Sequence, residues 1–423
     1  MTLDTRLTLL LVLAAACGGG VDPEMVPGGG ISDPGIDGDL YVYVIDEDSD
    51  EPLADAEVWI GDDVHGMTDA EGLFAASDLD GPQTITAIIS GYTSATWVGV
   101  DGANVTIPLK AKDIDYGQGR VSGTIEGFED IPVPAGRANI AFVGFSQNRD
   151  DDDPNNDIDQ GEPAPNVCFN AGAGDPCEWT MRTRSGQMTV VAYLGTMDAD
   201  QNIEITGFAY QSGVTVEDGG ITDDVNLTIA EDGELTWPDV SLPSAPDGTE
   251  QVSAAIRLDL GDDGRLLLPV AGALEVPVPD RGLLGADSYE LIGFAAGPAD
   301  GATSVRIDRG LESVDEVSVG TFLSVPGGLS TDGATFSFDA VGGASIHIGT
   351  VKEIGETEAA WGVAVFDGST EVSLPSAITL PDGELRFAVQ AIEVPDLDVQ
   401  DFAIDDIEDE VSRASGDSVT FTR

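Results

Sequence analysis

No stretch of this sequence holds a helical period for long. What recurs is a short alternating run closed off by Gly, Pro or Asp. Residues 39–45 (DLYVYVI) alternate aromatic and β-branched side chains, which is the pattern of a half-buried strand. Comparable runs lie at 57–60, 84–89, 138–145, 188–194, 253–260, 334–338, 361–366 and 384–392. The 53 glycines and 23 prolines oppose helix interiors and suit turns. The spacing predicts an all-β chain of tandem antiparallel β-sandwich domains.

The N-terminus has a different character. Arg6 is the only early positive charge, and an apolar run follows over 7–16. A helix needs about 20 apolar residues to span a bilayer, so this run has the length of a signal-peptide core instead. Small residues then lead into Cys17. The stretch LAAAC at 13–17 resembles the bacterial lipobox, with Ala14 where Leu is usual and Leu13 one position further back. That resemblance implies a signal peptide over 1–16, acylation of the Cys17 thiol and membrane attachment through the lipid. The alternative is an ordinary secretory signal with a cysteine near the cut. Residues 17–37 are rich in Gly, Pro and Asp, which reads as a flexible tether. Gly18 and Gly19 lack the aspartate that resembles an inner-membrane retention signal, which points to the outer membrane, on its periplasmic or cell-surface face.

Charge narrows the partners. With 17 basic and 78 acidic residues the chain carries a net −61. Such a surface repels phosphate backbones, which excludes nucleic acid, and it repels anionic headgroups, so the lipid must hold the membrane. Of the three cysteines, Cys168 and Cys177 remain after Cys17, nine positions apart across a Gly-rich segment. In an oxidising compartment they are expected to form a disulfide, the alternative being two free buried thiols.

Residues 38–112 carry a family resemblance. The strand-like 39–45 is followed by PLADAEVWI at 52–60, TDAEGLF at 68–74 and Gly91-Tyr92. This order of pieces resembles the carboxypeptidase regulatory-like, transthyretin-like sandwich. The resemblance implies a non-catalytic module, with carbohydrate binding known on related sandwiches. Leu53, Ala56, Val58 and Phe74 are expected in its core, and Gly72 in a tight turn that needs positive φ.

The sharpest local motif is the acidic loop at 150–163. With Asp151 at position 1, Asp153, Asn155, Asp157, Asp159 and Glu162 fall at positions 3, 5, 7, 9 and 12 of a calcium loop. Calcium takes six to eight hard oxygens, so one chain must curl around it, with Asp157 giving its backbone carbonyl and Glu162 a bidentate carboxylate. Asn156 stands where the motif has Gly, and Asn tolerates the left-handed turn. Structural calcium is the cofactor expected here; the alternative is a solvated acidic loop. Asp198, Asp200 and Asn202 form a lesser fragment of the same kind, not taken as a site.

No catalytic constellation stands out. The two histidines, His65 and His347, are not paired as zinc hydrolases require, and no nucleophile elbow or phosphate loop occurs. The chain reads as a non-enzyme. Beyond 38–112, a β-rich domain is expected over 113–245, holding the calcium loop and disulfide. A second follows over 246–423, as one sandwich or two. The function expected is an envelope lipoprotein displaying β-sandwich modules for structural or interaction roles. Two alternatives stand beside it. One is a carbohydrate-binding surface lipoprotein using Trp59, Tyr92 or Trp97 on a glycan, with a glycan or protein ligand as the expected partner. The other is a regulatory or docking subunit of a secreted enzyme.

Overall fold

The computed structural model describes residues 23–112, 114, 116–149, 158, 160, 166–170, 176–298, 301–356, 358–408 and 410–423. Among them the chain is all-β, as the alternation predicts, with α-helix confined to Arg281–Leu284 and Ile404–Glu408.

The first unit contributes β1 (Gly30–Gly35), β2 (Asp37–Asp46), β3 (Glu57–Ile60), β4 (Val64–Met67), β5 (Leu73–Asp80), β6 (Gln83–Ile88), β7 (Ser94–Val100) and β8 (Gly102–Leu109). Residues 113–245 contribute β9 (Gln118–Ile125), β10 (Arg137–Phe145), β11 (Val167–Asn170), β12 (Cys177–Arg184), β13 (Gly186–Asp198), β14 (Ile203–Val216) and β15 (Ile221–Ile229). From 246 on, the main strands are β16 (Gln251–Asp259), β17 (Arg265–Ala271), β18 (Tyr289–Ala296), β19 (Thr303–Leu311), β20 (Ile346–Glu353), β21 (Trp361–Val365), β22 (Glu384–Glu393), β23 (Phe402–Ala403) and β24 (Arg413–Thr422).

The first unit is a sandwich. One sheet has the order β23-β1-β8-β2-β5, and the other face is β7-β6-β3-β4. Leu40, Val42 and Val44 point inward from β2 and meet Ala56, Val58, Ile60 and Ile85, all buried. Each of the Leu, Val and Ile side chains stabilises the fold by roughly 1.5–3 kcal/mol. Ala56 and Val58 sit in the core as expected, while Leu53 and Phe74 pack at its margin, half-buried. The turn after Thr68 forms as the sequence reads. Gly72 has φ 72°, and Asp69 Oδ1 accepts the N–H groups of Glu71 and Leu73 at 3.0 Å each. A Cβ on Gly72 would lie 2.8 Å from the Val44 carbonyl oxygen. Thr68 Oγ1 accepts the Ala56 N–H at 2.9 Å and donates to the Leu53 carbonyl at 2.6 Å, tying the turn to the neighbouring strand.

Two expectations are corrected. The segment 17–37, read as a flexible tether, is ordered structure over most of its length; residues 17–22 lie outside the described residues. The Glu24 and Val26 N–H groups donate to Asn104 Oδ1 and Thr106 Oγ1 at 2.9 and 2.8 Å, Ile31 is fully buried, and β1 pairs with β8 and β23. The glycines there serve close approach, not slack: a Cβ on Gly30 would fall 2.1 Å from the Phe402 carbonyl oxygen. The domain boundaries at 112 and 245 do not separate sheets and cores. A twelve-stranded sheet runs β17-β16-β18-β19-β24-β22-β20-β21-β7-β6-β3-β4, from the last region into the first. Its joint is parallel, with Gly362 opposite Ala95 and Ala364 opposite Trp97. The buried Trp361 indole N–H donates to Thr96 Oγ1 across it at 2.9 Å. Val191, Ile205 and Phe208 of the middle unit share a core with Ile256, Leu258 and Leu268 of the last. A propensity reading sees each strand's faces but not its distant partner, so these joints escape it.

Beside the joint, Glu393 on β22 faces Arg413 on β24. The Arg413 guanidinium donates to both carboxylate oxygens, and Ser412 Oγ adds a bond at 2.7 Å. Arg413 foremost, against some burial cost, holds the Glu393 carboxyl down at about 2. A depressed acid stabilises the fold above its unfolded value and loses that contribution as pH falls toward the folded one. The stability gap between wild type and Glu393→Gln, read from urea melts, is therefore expected to be full above pH 4.5 and to shrink as pH falls toward about 2. An unchanged gap down to pH 2.5 would contradict it.

Candidate functional site

The middle unit is one seven-stranded sheet in the order β11-β10-β13-β14-β15-β9-β12. It curls until its two edge strands meet, and the Cys168–Cys177 disulfide joins them, with Cα atoms 5.5 Å apart. Inside lie Val121, Ile125, Val143, Trp179, Met188 and Val190, buried in one core. The expected disulfide is thus present, and it closes the sheet as well as a short loop.

The candidate calcium ligands Asp151, Asp153, Asn155, Asp157, Asp159 and Glu162 lie outside the described residues, as does Cys17. Among the described residues no group of three or more His, Cys, Asp or Glu side chains is placed to hold a metal. The flanks of the acidic loop are described. On one side Gln147 and Arg265 exchange backbone hydrogen bonds at 2.7 and 2.8 Å. Arg265 donates a further bond to the Arg149 carbonyl at 2.9 Å, and Arg149 pairs with Asp259 at 2.7 Å. Within the loop's span, the Gln160 side-chain amide bridges both backbone groups of Arg182 on β12 at 2.8 Å each. On the far side Asn166 clamps Val143 through its own carbonyl, at 2.9 Å, and its side-chain amide, at 2.8 Å. The loop therefore springs from a pinned base.

That base rests on a buried polar junction. The hairpin between β16 and β17 turns its tip, Gly261–Asp263, into the middle unit. Asp263 is 6% exposed. Its carboxylate accepts Gln187 Nε2 and Thr189 Oγ1 at 2.6 Å each and the Gly213 N–H at 2.8 Å. Burial pushes its pKa up, but these three bonds outweigh burial and leave it below the ordinary value. Ser146 Oγ donates to the Asp263 carbonyl and accepts the Thr189 N–H at 3.0 Å. The buried Arg184 donates to carbonyls of Gln187 at 2.6 Å and Asp263 at 3.1 Å. Sequence reading missed this cluster, because one aspartate among 78 acidic residues carries no signal of its own.

The other singled-out residues are dispersed. His347 is a buried strand residue whose Nε2 accepts the Val341 N–H at 3.2 Å; burial lowers its pKa below the ordinary imidazole value. His65 is exposed and stacks on Trp59 with ring centroids 4.3 Å apart. Trp97 is a core residue against Phe366 and Phe402. Tyr92 donates its hydroxyl to Asp46 Oδ2 at 2.9 Å. Trp59, Tyr92 and Trp97 make no pair of coplanar exposed rings. Asp198 satisfies itself in a turn, accepting the Asp200 and Asn202 N–H groups and Asn202 Nδ2 at 2.9 Å each.

No family model matches the chain, and no curated protein does. Among solved structures, the shaft pilin SpaA from Lactobacillus rhamnosus GG is similar at 10% identity and a TM-score of 0.15, over 46% of this chain and 98% of the pilin. A double mutant of that pilin is similar at 9% identity with the same TM-score and coverage. So distant a likeness says nothing of this chain's role.

Proposed function

We propose that this is a non-catalytic envelope lipoprotein, held through a lipid on Cys17, whose β units form one stiff display body for an acidic, calcium-binding loop. The observation that carries this reading is the pinned base of the loop. Hydrogen bonds to Arg265, Arg182 and Val143 and the buried Asp263 junction fix where the loop leaves and re-enters the body. A rigid base is what a cation loop needs, since ordering its ends beforehand lowers the cost of curling around the ion. The donor set suits calcium: carboxylates, an amide oxygen and a backbone carbonyl are hard oxygens. Asp151, Asp153, Asn155, Asp159 and Glu162 would hold it by side chains. Bound calcium would neutralise part of the loop's charge and fix its course.

Two measurements test the reading separately. Wild type grown with a clickable palmitate analogue is expected to take the label and partition with membranes, while Cys17→Ser stays unlabelled and soluble. Equal labelling of both would remove the anchor. In a calcium titration, wild type is expected to give saturable heat and a higher melting temperature, with Glu162→Gln weaker by at least tenfold. No heat and no melting shift in either protein would remove the ion.

A further inference from the structure

Beside the joint between the first and last regions lies an open-sided cavity of about 330 Å³. Its floor is one face of the twelve-stranded sheet, where β7, β21, β20 and β22 present Trp97, Ile346, Ile348 and Ile392. Its roof is the strap over 402–408, which turns Phe402, Ile404 and Ile407 downward. Three small residues make the hollow. Ala95 and Gly362 face each other across the parallel joint, and Ala364 is the next residue of β21 on that face. A Cβ built on Gly362 meets nothing within 4 Å, and no positive φ requires glycine there. A glycine inside a strand gives up packing and marks a place where something else approaches the backbone.

The lining has one polar side chain, Thr96, whose hydroxyl already accepts from Trp361 and bonds Thr86. An apolar cavity of about 150 Å³ takes a six-carbon ring; this hollow is about twice that, room for about twelve carbons. The roof is light. A two-residue strand pairs Phe402 with Ile31 and Ala403 with Gly30, and the Ile404 N–H reaches the Gly29 carbonyl at 2.8 Å. Two exposed acids lie on the strap or just after it, Asp405 and Glu410. The nearby guanidiniums of Arg309 and Arg413 are engaged by Glu290 and Glu393.

We infer that this cavity is a binding site for one hydrocarbon chain of an amphiphile with an uncharged head. The walls select an alkyl chain, and the acidic strap rejects an anionic headgroup. This holds whether or not Cys17 is lipidated or the loop binds calcium.

The test uses the full chain carrying Cys17→Ser, purified without detergent. Dodecyl maltoside, kept below its critical micelle concentration, is titrated by calorimetry and by tryptophan fluorescence, with laurate as the anionic comparison. Saturable one-to-one binding of the maltoside is expected, at least tenfold tighter than laurate. Gly362→Leu fills the hollow and is expected to weaken binding at least tenfold with an unchanged or higher melting temperature. Ala364→Leu, on the same face, repeats the test should Gly362→Leu fail to fold. No saturable binding to the unfilled protein, or equal binding by a folded filled variant, overturns the site. Equal affinity for laurate overturns the uncharged head.

Discussion

Reducing the Cys168–Cys177 bond is expected to lower the unfolding free energy by about 3 kcal/mol, from the loop it closes alone. The structure adds a second reason for a large effect. The bond joins the two edge strands of the seven-stranded sheet, so β11 and β12 lose their covalent stitch when it is cut. Exposed edges are also sites of wrong pairing. Urea melts with and without reductant measure the loss. A Cys168→Ser, Cys177→Ser double variant should match reduced wild type and ignore reductant. Identical melts for oxidised and reduced wild type would show that backbone pairing alone closes the sheet.

The second large effect is expected at the junction. Asp263→Ala strands three donors, the buried Thr189 Oγ1 and the part-buried Gln187 Nε2 and Gly213 N–H, beside the buried Arg184. Removing one partner from a buried charged network costs about 3–5 kcal/mol. Asp262→Ala, one residue away and exposed, should change stability by less than about 0.5 kcal/mol. Amide exchange gives the location: Thr189, Gly213 and Gln147 should lose protection in Asp263→Ala first. A loss under 1 kcal/mol would show that water replaces the carboxylate and that the hairpin tip is not the lock between the units.

What could be read beforehand follows from where the information lies. Alternation along β2 told which residues face inward, because side-chain direction is a local property of a strand. The Thr68–Gly72 turn was legible for the same reason: Asp69 and Gly72 do their work within a few residues. The disulfide followed from compartment and spacing. Gly28, Gly29 and Gly30 misled, since composition cannot separate a glycine that gives slack from one that lets two backbones touch. Asp263 was invisible because only the incoming β16–β17 hairpin makes it different from its neighbours. The parallel joint of β21 with β7, and the hollow left by Ala95 and Gly362, depend on pairing between segments far apart in sequence.

The closing of the first sandwich by β21 and β23 has a consequence for timing. Strand β1 meets its outer neighbour only at Phe402, and β7 only at residues 361–365. As the chain emerges from a ribosome, the first unit has no completed edge until nearly everything after it has been made. Contacts of such sequence separation form slowly, because loop closure precedes their reward. The first unit can therefore reach its full edge pairing only once its distal strands arrive. On the proposed export route, the long-range topology would place the last step of folding after the distal strands have crossed.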